Sequence, residues 1–591
     1  MTWQVVVWGG GTGGVAAALQ SARCGASTLL LTPGIWLGGM VSAAGVSAPD
    51  GHEISCWQSG LWGALLRELE QTTEQGLDQN WVSCFGFRPE QAERILQTWV
   101  ESESTLTWWS ETELLEVSRQ GHRVESLTVL HDNIRSQVKA EVVIDGSDLG
   151  ECMAMADVPF RWGWEAREMW NEPSAPERHQ LQNNPFFEQQ PIQSPTWVVM
   201  GQLGDGAPPD HPVIAPIAPF EHCFETYGLR RTLTYGRLPG GLVMLNWPLH
   251  GNDWHQGLGR CISADAIQRQ MLSREMQAHS RDFLHHLCAS SDGWLQPGRV
   301  FPGEEPELAL MPYWREGRRL IGRETVSEKD LLPIAPEAKR GPLPLDDKGH
   351  CTSIAVGTYA NDHHYPGKDW PLAPKSCRWG GRWTGTPFCI PFGALFSDDA
   401  TNLLLADKAF SVSHIANGAT RLQPLILNIG QAAGMAAGLA IQRGLEPAEL
   451  PVRDLQQALI SDRQAPAAVM PIWSWPVWHH QWAEAQRRAC FEPSGLDCDG
   501  CLDRGLTTDL LAPDAADTPI PPFIRAFQGR FRRMPDDSWQ LETDQGRHPL
   551  ITLEPAVQAL ISSCSSGACL ALQACVNPWG PWLRVVRASL S

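Results

Sequence analysis

The chain has 591 residues, room for roughly three to four domains, and its 43% hydrophobic and 19% charged residues are an ordinary globular balance. A formal net charge of −20 argues against a nucleic-acid backbone or an anionic membrane surface as partner, because no excess of Lys and Arg exists to displace counterions. Sixteen irregularly spaced cysteines read as reduced thiols of a cytoplasmic protein, and no run approaches the roughly 18 apolar residues of a membrane span. The 27 tryptophans read mainly as core and cleft-wall mass.

In chain order, Gln4–Trp8 predicts a buried strand, a glycine cluster follows, and an Ala-rich helix runs from about Gly14 to Arg23 and ends at Cys24-Gly25-Ala26. Ser27–Thr32 reads as a second strand, which makes a βαβ start on a parallel sheet. Residues 87–102 carry Ala92, Ile95, Leu96 and Val100 at helical spacing. From Thr105 to Asp145 the pattern changes to a β-meander. Residues 166–375, rich in Pro, Trp and His, read as a mixed α+β substrate domain inserted into an α/β nucleotide-binding domain made of 1–165 and 376–446. Within the second part, Asn402–Asp407 is a strand and Pro424–Arg443 a helix with small residues on one face. Residues 447–591 read as a Pro/Trp-rich linker and a small β-rich C-terminal domain.

The glycine cluster GGGTGG, residues 9–14, places Gly9, Gly11 and Gly14 in G-x-G-x-x-G spacing, with Thr12 and Gly13 at the helix start. A strand before it and a helix after it predict that the helix N-terminus receives a dinucleotide pyrophosphate. Thr32 ends the second strand, where a carboxylate usually meets the ribose; a hydroxyl offers one donor there but no bidentate acceptor. Three further segments add to this site: PGIWLGGMVSAAGVSAPDG at 33–51, VVIDGSDLGECMAMADVPFRWG at 142–163, and NLLLADKAFSVSHIANGATRLQPLILNIGQAAGMAAG at 402–438.

Together with RLPGGLVMLNWPLHGND at 237–253, MPYWREGRRLIGRETV at 311–326 and SIAVGTYANDHHYPG at 353–367, these segments resemble the FAD-dependent oxidoreductase family with a glutathione-reductase-type FAD fold, whose bacterial members are often labelled xanthan-lyase-like. The resemblance covers roughly residues 3–445. It implies a Rossmann-type domain holding one non-covalent FAD, with Gly38, Gly39 and Met40 running along the cofactor and Asp145 near it. It also implies Asp407 on the ribityl hydroxyls, although Ala406 stands where the related strands end in Gly-Asp. Pro424 and Leu425 open a helix whose positive N-terminus would face the flavin pyrimidine.

Arg421 resembles the substrate-binding Arg of succinate-dehydrogenase-like flavoproteins, and its fork suits a carboxylate or a carbonyl. His414, His363 and His364 are candidates for proton transfer, with Asp362 to orient one of them. The expected reaction is hydride transfer from a small polar substrate to flavin N5. The alternatives are a flavin monooxygenase or halogenase, or a scaffold that has lost catalysis. WSWPVW at 473–478 is similar to the Trp-x-Trp motif of flavin-dependent halogenases but falls after the FAD segments. Cys498 and Cys501, near Cys490, His479 and His480, do not match a zinc-site spacing, so no metal is expected. The redox partner is not legible in the sequence.

Overall fold

The computed structural model describes residues 2–591 except 75, 216, 249, 367–369, 474 and 503–523. The nucleotide-binding half begins with β1 (Thr2–Trp8), α1 (Thr12–Arg23) and β2 (Thr28–Leu31), followed by α2 (Pro89–Ser102), β3 (Leu106–Trp109), β4 (Glu113–Gln120), β5 (Arg123–His131) and β6 (Ile134–Asp145). The sheet order is β3-β2-β1-β6-β5-β4. β3, β2, β1 and β6 are parallel, with Val7 opposite both Leu30 and Ile144. β4, β5 and the first half of β6 form the antiparallel meander. Val5–Val7, Leu29–Leu31 and Val142–Ile144 are almost wholly buried. Near-continuous apolar runs of this kind mark a parallel sheet covered on both faces.

The chain returns to this sheet far downstream. After β7 (Ser353–Gly357), β8 (Ser376–Trp379), β9 (Arg382–Gly385) and β10 (Phe388–Pro391), strand β11 (Leu403–Leu405) pairs in parallel with the second half of β6. Helices α3 (His414–Thr420) and α4 (Gln423–Arg443) follow. α4 packs along α1 through the small residues read from its sequence. A Cβ on Gly430 would lie 2.2 Å from the Gly13 carbonyl oxygen, and one on Gly434 would lie 2.2 Å from that of Ala17. Close contact along one seam therefore requires glycine every fourth residue, the spacing that keeps positions on one helix face. α4 is also the one helix among the described residues long and apolar enough to cross a membrane, but most of it is buried in this core.

Between the two halves lies a four-stranded antiparallel sheet of Leu295–Pro297, Val199–Leu203, Leu242–Leu245 and Gly236–Arg237, with the 25-residue helix Ala266–Ser290 beside it. The proposed boundary at 375/376 cuts through paired structure. β10 bonds to β7, so residues on either side of that boundary share a two-stranded sheet.

Residue 447 does not begin a linker. Helix α5 (Val452–Ile460) and the segment after it belong to the same core as α1 and α4. The Gln20 amide donates to Asp462 Oδ2 at 3.0 Å, Gln431 donates to the Ala465 carbonyl at 2.7 Å, and Gly60 N–H donates to the Pro466 carbonyl at 2.7 Å. Trp473 of the halogenase-like string packs against Trp57 and Trp379 and donates its indole N–H to the Lys339 carbonyl, so it is core mass.

The C-terminal strands β12 (Ile524–Arg533), β13 (Trp539–Thr543), β14 (Gly546–Thr552), β15 (Cys569–Val576) and β16 (Leu583–Leu590) close into a barrel in the order β12-β13-β14-β16-β15. β14 and β16 run parallel, and helix α6 (Pro555–Ser563) lies between β14 and β15 in the chain. Five strands close the sheet on itself, which leaves it no free edge. Phe531, Leu541, Leu570 and Val585 fill a core separate from the main one.

Candidate functional site

The glycine turn, the Gly38-Gly39 pair and Asp407 meet at the N-terminus of α1. Gly9 has φ +98°, a conformation open to glycine, and turns the chain from β1 toward the helix. Gly38 N–H donates to the Gly10 carbonyl at 2.9 Å, and the Thr12 hydroxyl donates to the Gly38 carbonyl at 2.8 Å. A Cβ on Gly39 would stand 2.8 Å from Gly11 Cα, so the pair lies against the turn itself. Met40 is buried in the short 3-10 turn that follows. The glycines answer first to protein backbone: a Cβ on Gly13 would lie 1.7 Å from the Ala406 carbonyl oxygen, and one on Gly14 would lie 1.9 Å from that of Gly9.

Two expected cofactor contacts are committed elsewhere. The Thr32 hydroxyl donates to the Gly34 carbonyl at 2.8 Å and accepts the Trp108 indole N–H at 2.9 Å, which spends its only donor. Asp145 accepts Ser147 N–H and Oγ on one oxygen and Met153 N–H on the other, so it ties the turn after β6. Burial pushes its carboxyl up to about 6. Asp407 is fully buried beside the α1 N-terminus: Gly13 N–H donates to its Oδ2 at 2.8 Å, and Lys408 Nζ donates to its Oδ1 at 2.9 Å. Burial opposes the Lys408 charge, but Asp148 and Asp407 on either side hold the ammonium protonated. Pro424 and Leu425 are buried in the first turn of α4, where the Gln423 amide donates to the Val46 carbonyl at 2.8 Å. This bond ties the stretch after Met40 to the α4 N-terminus.

Arg421 closes α3 just before that turn. Its guanidinium donates to Tyr313 Oη and, at 2.9 Å, to Asp362 Oδ2. The Arg421 side chain is 3% exposed, but Asp362 keeps 40% of its side chain accessible, so the pair is reachable from the Asp362 side. Burial works against the Asp362 charge, yet His364, Arg421 and Arg315 hold the carboxyl well below the usual range.

The three histidines do not present a free nitrogen, which corrects the proton-transfer assignments. His364 faces Asp253 Oδ2 at 2.7 Å with Nδ1 and Asp362 Oδ2 at 3.0 Å with Nε2. Arg315 holds the far side of Asp253. His363 and His414 belong to a buried chain: His363 Nε2 meets the Ile415 carbonyl at 2.9 Å, and its Nδ1 meets Tyr365 Oη at 2.7 Å. Tyr365 Oη meets His414 Nε2 at 2.6 Å, and His414 Nδ1 meets Glu316 Oε1 at 2.9 Å. The carbonyl can only accept, so His363 donates from Nε2. For neutral rings this orients the chain: Tyr365 donates to His363, His414 donates to Tyr365, and Glu316 is left to donate as the acid. Burial, the largest influence, pushes Glu316 up to about 7 despite Arg319 beside it. Burial also lowers His363 to about 3 and drives His414 well below its ordinary value, so both stay neutral.

Asp50 and Arg382 were not singled out in the sequence. Asp50 is half-buried, and its carboxyl takes no hydrogen bond from a described residue. Burial, reinforced by Glu53 and Asp362, pushes it up to about 8 against the pull of Arg382 and Arg421. Arg382 donates to Cys84 Sγ at 3.2 Å and stands 3.7 Å from Glu53 Oε1. The available signal was Ala48-Pro49-Asp50-Gly51, a turn motif without catalytic meaning by itself. Among the described residues, no group of three or more His, Cys, Asp or Glu is arranged for a metal.

FAD fits these residues. Arg421 Nε, Thr420 Oγ1 and Gln423 Oε1 are buried at the α3–α4 junction without a protein partner. Each such group costs about 1–3 kcal/mol if left unsatisfied. A flavin pyrimidine edge, with donors and acceptors together, is chemistry they would meet. At the α1 N-terminus Gly13 N–H goes to Asp407, but the Gly11 cap adds no side chain, so the rest of that turn suits the pyrophosphate.

A search of the curated proteins returns no significant match. Among solved structures, a geranylgeranyl bacteriochlorophyll reductase-like protein from Thermoplasma acidophilum aligns at 10% identity over 88% of this chain and 93% of that chain, with a TM-score of 0.34. The myxobacterial chondrochloren halogenase CndH aligns at 10% identity over 77% of each chain, with a TM-score of 0.31. For p-nitrophenol 4-monooxygenase PnpA from Pseudomonas putida DLL-E4 the values are 12% identity, 28% of this chain and a TM-score of 0.21, and the match spans less than half of that protein, 46%. None of these similarities bears on the substrate. The profile of the family described as FAD dependent oxidoreductase matches residues 4–459. With most of its length matched and a site that suits the cofactor, the chain belongs to the FAD-dependent oxidoreductase family.

Proposed function

We propose that the chain oxidises a small polar substrate by hydride transfer to FAD, with Arg421 holding a carboxylate or carbonyl of the substrate. The observation that carries this reading is the Arg421–Asp362 pair, which sits at the head of α4 and is accessible on the Asp362 side. FAD, when bound, supplies the two-electron acceptor. Tyr313 and Asp362 fix the guanidinium plane, so Arg421 meets the substrate already oriented and loses little freedom on binding. The N-terminus of α4 favours negative charge next to it, which suits a reduced cofactor. A cytoplasmic setting and no nucleic-acid or membrane partner are part of the same reading, supported by the cysteine usage and the net charge of −20.

The test is anaerobic. The purified yellow protein is mixed with a panel of small hydroxy and amino acids, without nicotinamide nucleotide, while visible flavin absorbance is followed. Bleaching by one of them is the expected result. If only NAD(P)H or a reductase bleaches the flavin, and substrate then speeds its reoxidation by oxygen, the protein is a monooxygenase and this reading is wrong.

A further inference from the structure

We propose, resting on that oxidation reading, that Asp50 is the group that takes the substrate's proton, and that the C-terminal barrel acts as a positioning element by fixing Arg382, whose charge acts on Asp50 and on the neighbouring Glu53. Oxidising CH–OH to C=O breaks one C–H and one O–H bond. The hydride carries two electrons to the flavin, and the O–H proton needs an acceptor. The three histidines have both ring nitrogens engaged by protein partners. Asp50 is different: the residue is half-buried and its carboxyl takes no hydrogen bond from a described residue.

The backbone ties the stretch around Asp50 to the two elements that lead to Arg421 and Asp362. Val46, four residues earlier, is bonded to Gln423 at the head of α4. His52, two residues later, donates its N–H to Thr358 Oγ1 at 2.8 Å, and its Nε2 meets the Val356 carbonyl at 2.6 Å, at the end of β7 leading to Asp362. The charged and titratable groups facing Asp50 come from several elements. Glu53 lies on its own stretch, Arg382 on β9, Tyr359 and Asp362 on the loop after β7, Arg421 at the end of α3, and Tyr235 before Gly236. Cys84 stands behind Arg382.

Arg382 is the first residue after the turn of the β8–β9 hairpin, and the barrel grips that turn. Thr552 N–H of β14 donates to the Gly380 carbonyl at 2.9 Å, and Gly380 N–H donates to Gln558 Oε1 of α6. A Cβ on Gly380 would lie 2.2 Å from the Thr552 carbonyl oxygen, and one on Gly381 would lie 2.4 Å from that of Leu550. The barrel therefore sets where Arg382 stands, and Arg382 favours the ionised form of Asp50, the form that can accept a proton.

The experiment is an infrared pH titration of the full-length FAD-bound protein. A protonated-carboxyl band absent from Asp50→Asn should fade as pH rises through about 8. Arg382→Gln should move that midpoint upward, because loss of a positive neighbour disfavours the anion, and Arg382→Lys should bring it back toward wild type. Gln558→Ala, which loosens the hairpin from the barrel without touching the Arg421–Asp362 pair, should move it upward as well. With the compound that bleaches the flavin, reduction should speed up as pH rises through the same midpoint. Asp50→Asn should slow reduction at least about 100-fold, the usual minimum worth of a general base, and abolish that pH dependence while FAD stays bound. An infrared spectrum unchanged in Asp50→Asn, an unmoved midpoint in both Arg382→Gln and Gln558→Ala, or an unchanged reduction rate in Asp50→Asn overturns the proposal. A titrating Asp50 band in a protein that no polar compound bleaches overturns the oxidation reading instead.

Discussion

Gly11 and Gly13 stand two residues apart in one turn and answer to different neighbours. A Cβ on Gly13 would fall 1.7 Å from the Ala406 carbonyl oxygen, on backbone that β11 fixes in the sheet. A Cβ on Gly11 would meet the Gly146 carbonyl oxygen at 2.9 Å and Asp407 Oδ2 at 3.0 Å, a much milder clash that a small backbone shift relieves. Gly13→Ala should therefore lower stability by about 3 kcal/mol or more, at the upper end of overpacking costs. Gly11→Ala should cost less stability than Gly13→Ala and weaken FAD binding. Thermal melts of both apoproteins and FAD titrations check this; equal melting temperatures would refute it. Arg421→Ala should keep FAD and cut turnover by about 100-fold, the loss that accompanies a misplaced substrate. An Arg421→Ala protein that cannot retain FAD would make Arg421 a cofactor-binding or structural residue and not the substrate anchor. At this scale the glycines were legible because backbone contact leaves no alternative residue. The histidines were not, because their partners lie far away in the chain: Glu316 for His414, and Asp253 for His364.

The elements with a strong local pattern were the readable ones. β1, α1, β2, the meander and α4 carry their own periodicity, and each was visible in the sequence. α1 nevertheless begins at Thr12, two residues before the expected start, and so takes Gly13 and Gly14 into its first turn. Glycine is a poor helix former, worth about 1 kcal/mol against alanine, but here contact with Ala406 and Gly9 overrides propensity. The inserted sheet was illegible for the opposite reason. Its strands are short, and Val199–Leu203 pairs with Leu295–Pro297, a partner some ninety residues away that no local pattern announces. The α1–α4 seam gives an element-scale prediction. Gly434→Leu would drive a branched side chain into the Ala17 carbonyl, 2.2 Å from the added Cβ, and should cost about 3 kcal/mol or more. Denaturant unfolding should show a lowered midpoint. An unchanged midpoint would mean that the two helices separate without penalty.

At the scale of the whole molecule, the matched family region ends at residue 459, but the main core does not. Ala465, Ala467, Val469 and Met470 are fully or almost fully buried in it, and Gln20 and Gln431 of the nucleotide half bond to Asp462 and Ala465. The expectation of a separable appendage from 447 followed from composition, since Pro and Trp are common both in linkers and in tightly packed irregular chain. The structure locates the division later, because the barrel has its own core. Two truncations should then behave differently. Removal of residues 450–591 strips α5 and the segment behind α4 and should leave no soluble yellow protein. Removal of residues 521–591 takes only Ile551 and Leu553 from the buried residues of the main core, leaves the nucleotide-binding sheet and α1, α4 and α5 in place, and should still bind FAD. That shorter protein loses the grip of Thr552 and Gln558 on the β8–β9 turn, as well as the contacts of Asn577 and Arg584 with Asp78. Its hairpin should become protease-sensitive, and reduction by substrate should slow, because Arg382, whose charge acts on Asp50, no longer has a fixed position. Limited proteolysis and anaerobic reduction of the two proteins measure both effects. A soluble, flavin-loaded product of the first truncation would show that the main core closes without α5, and a fully active product of the second would show that the barrel has no part in the site.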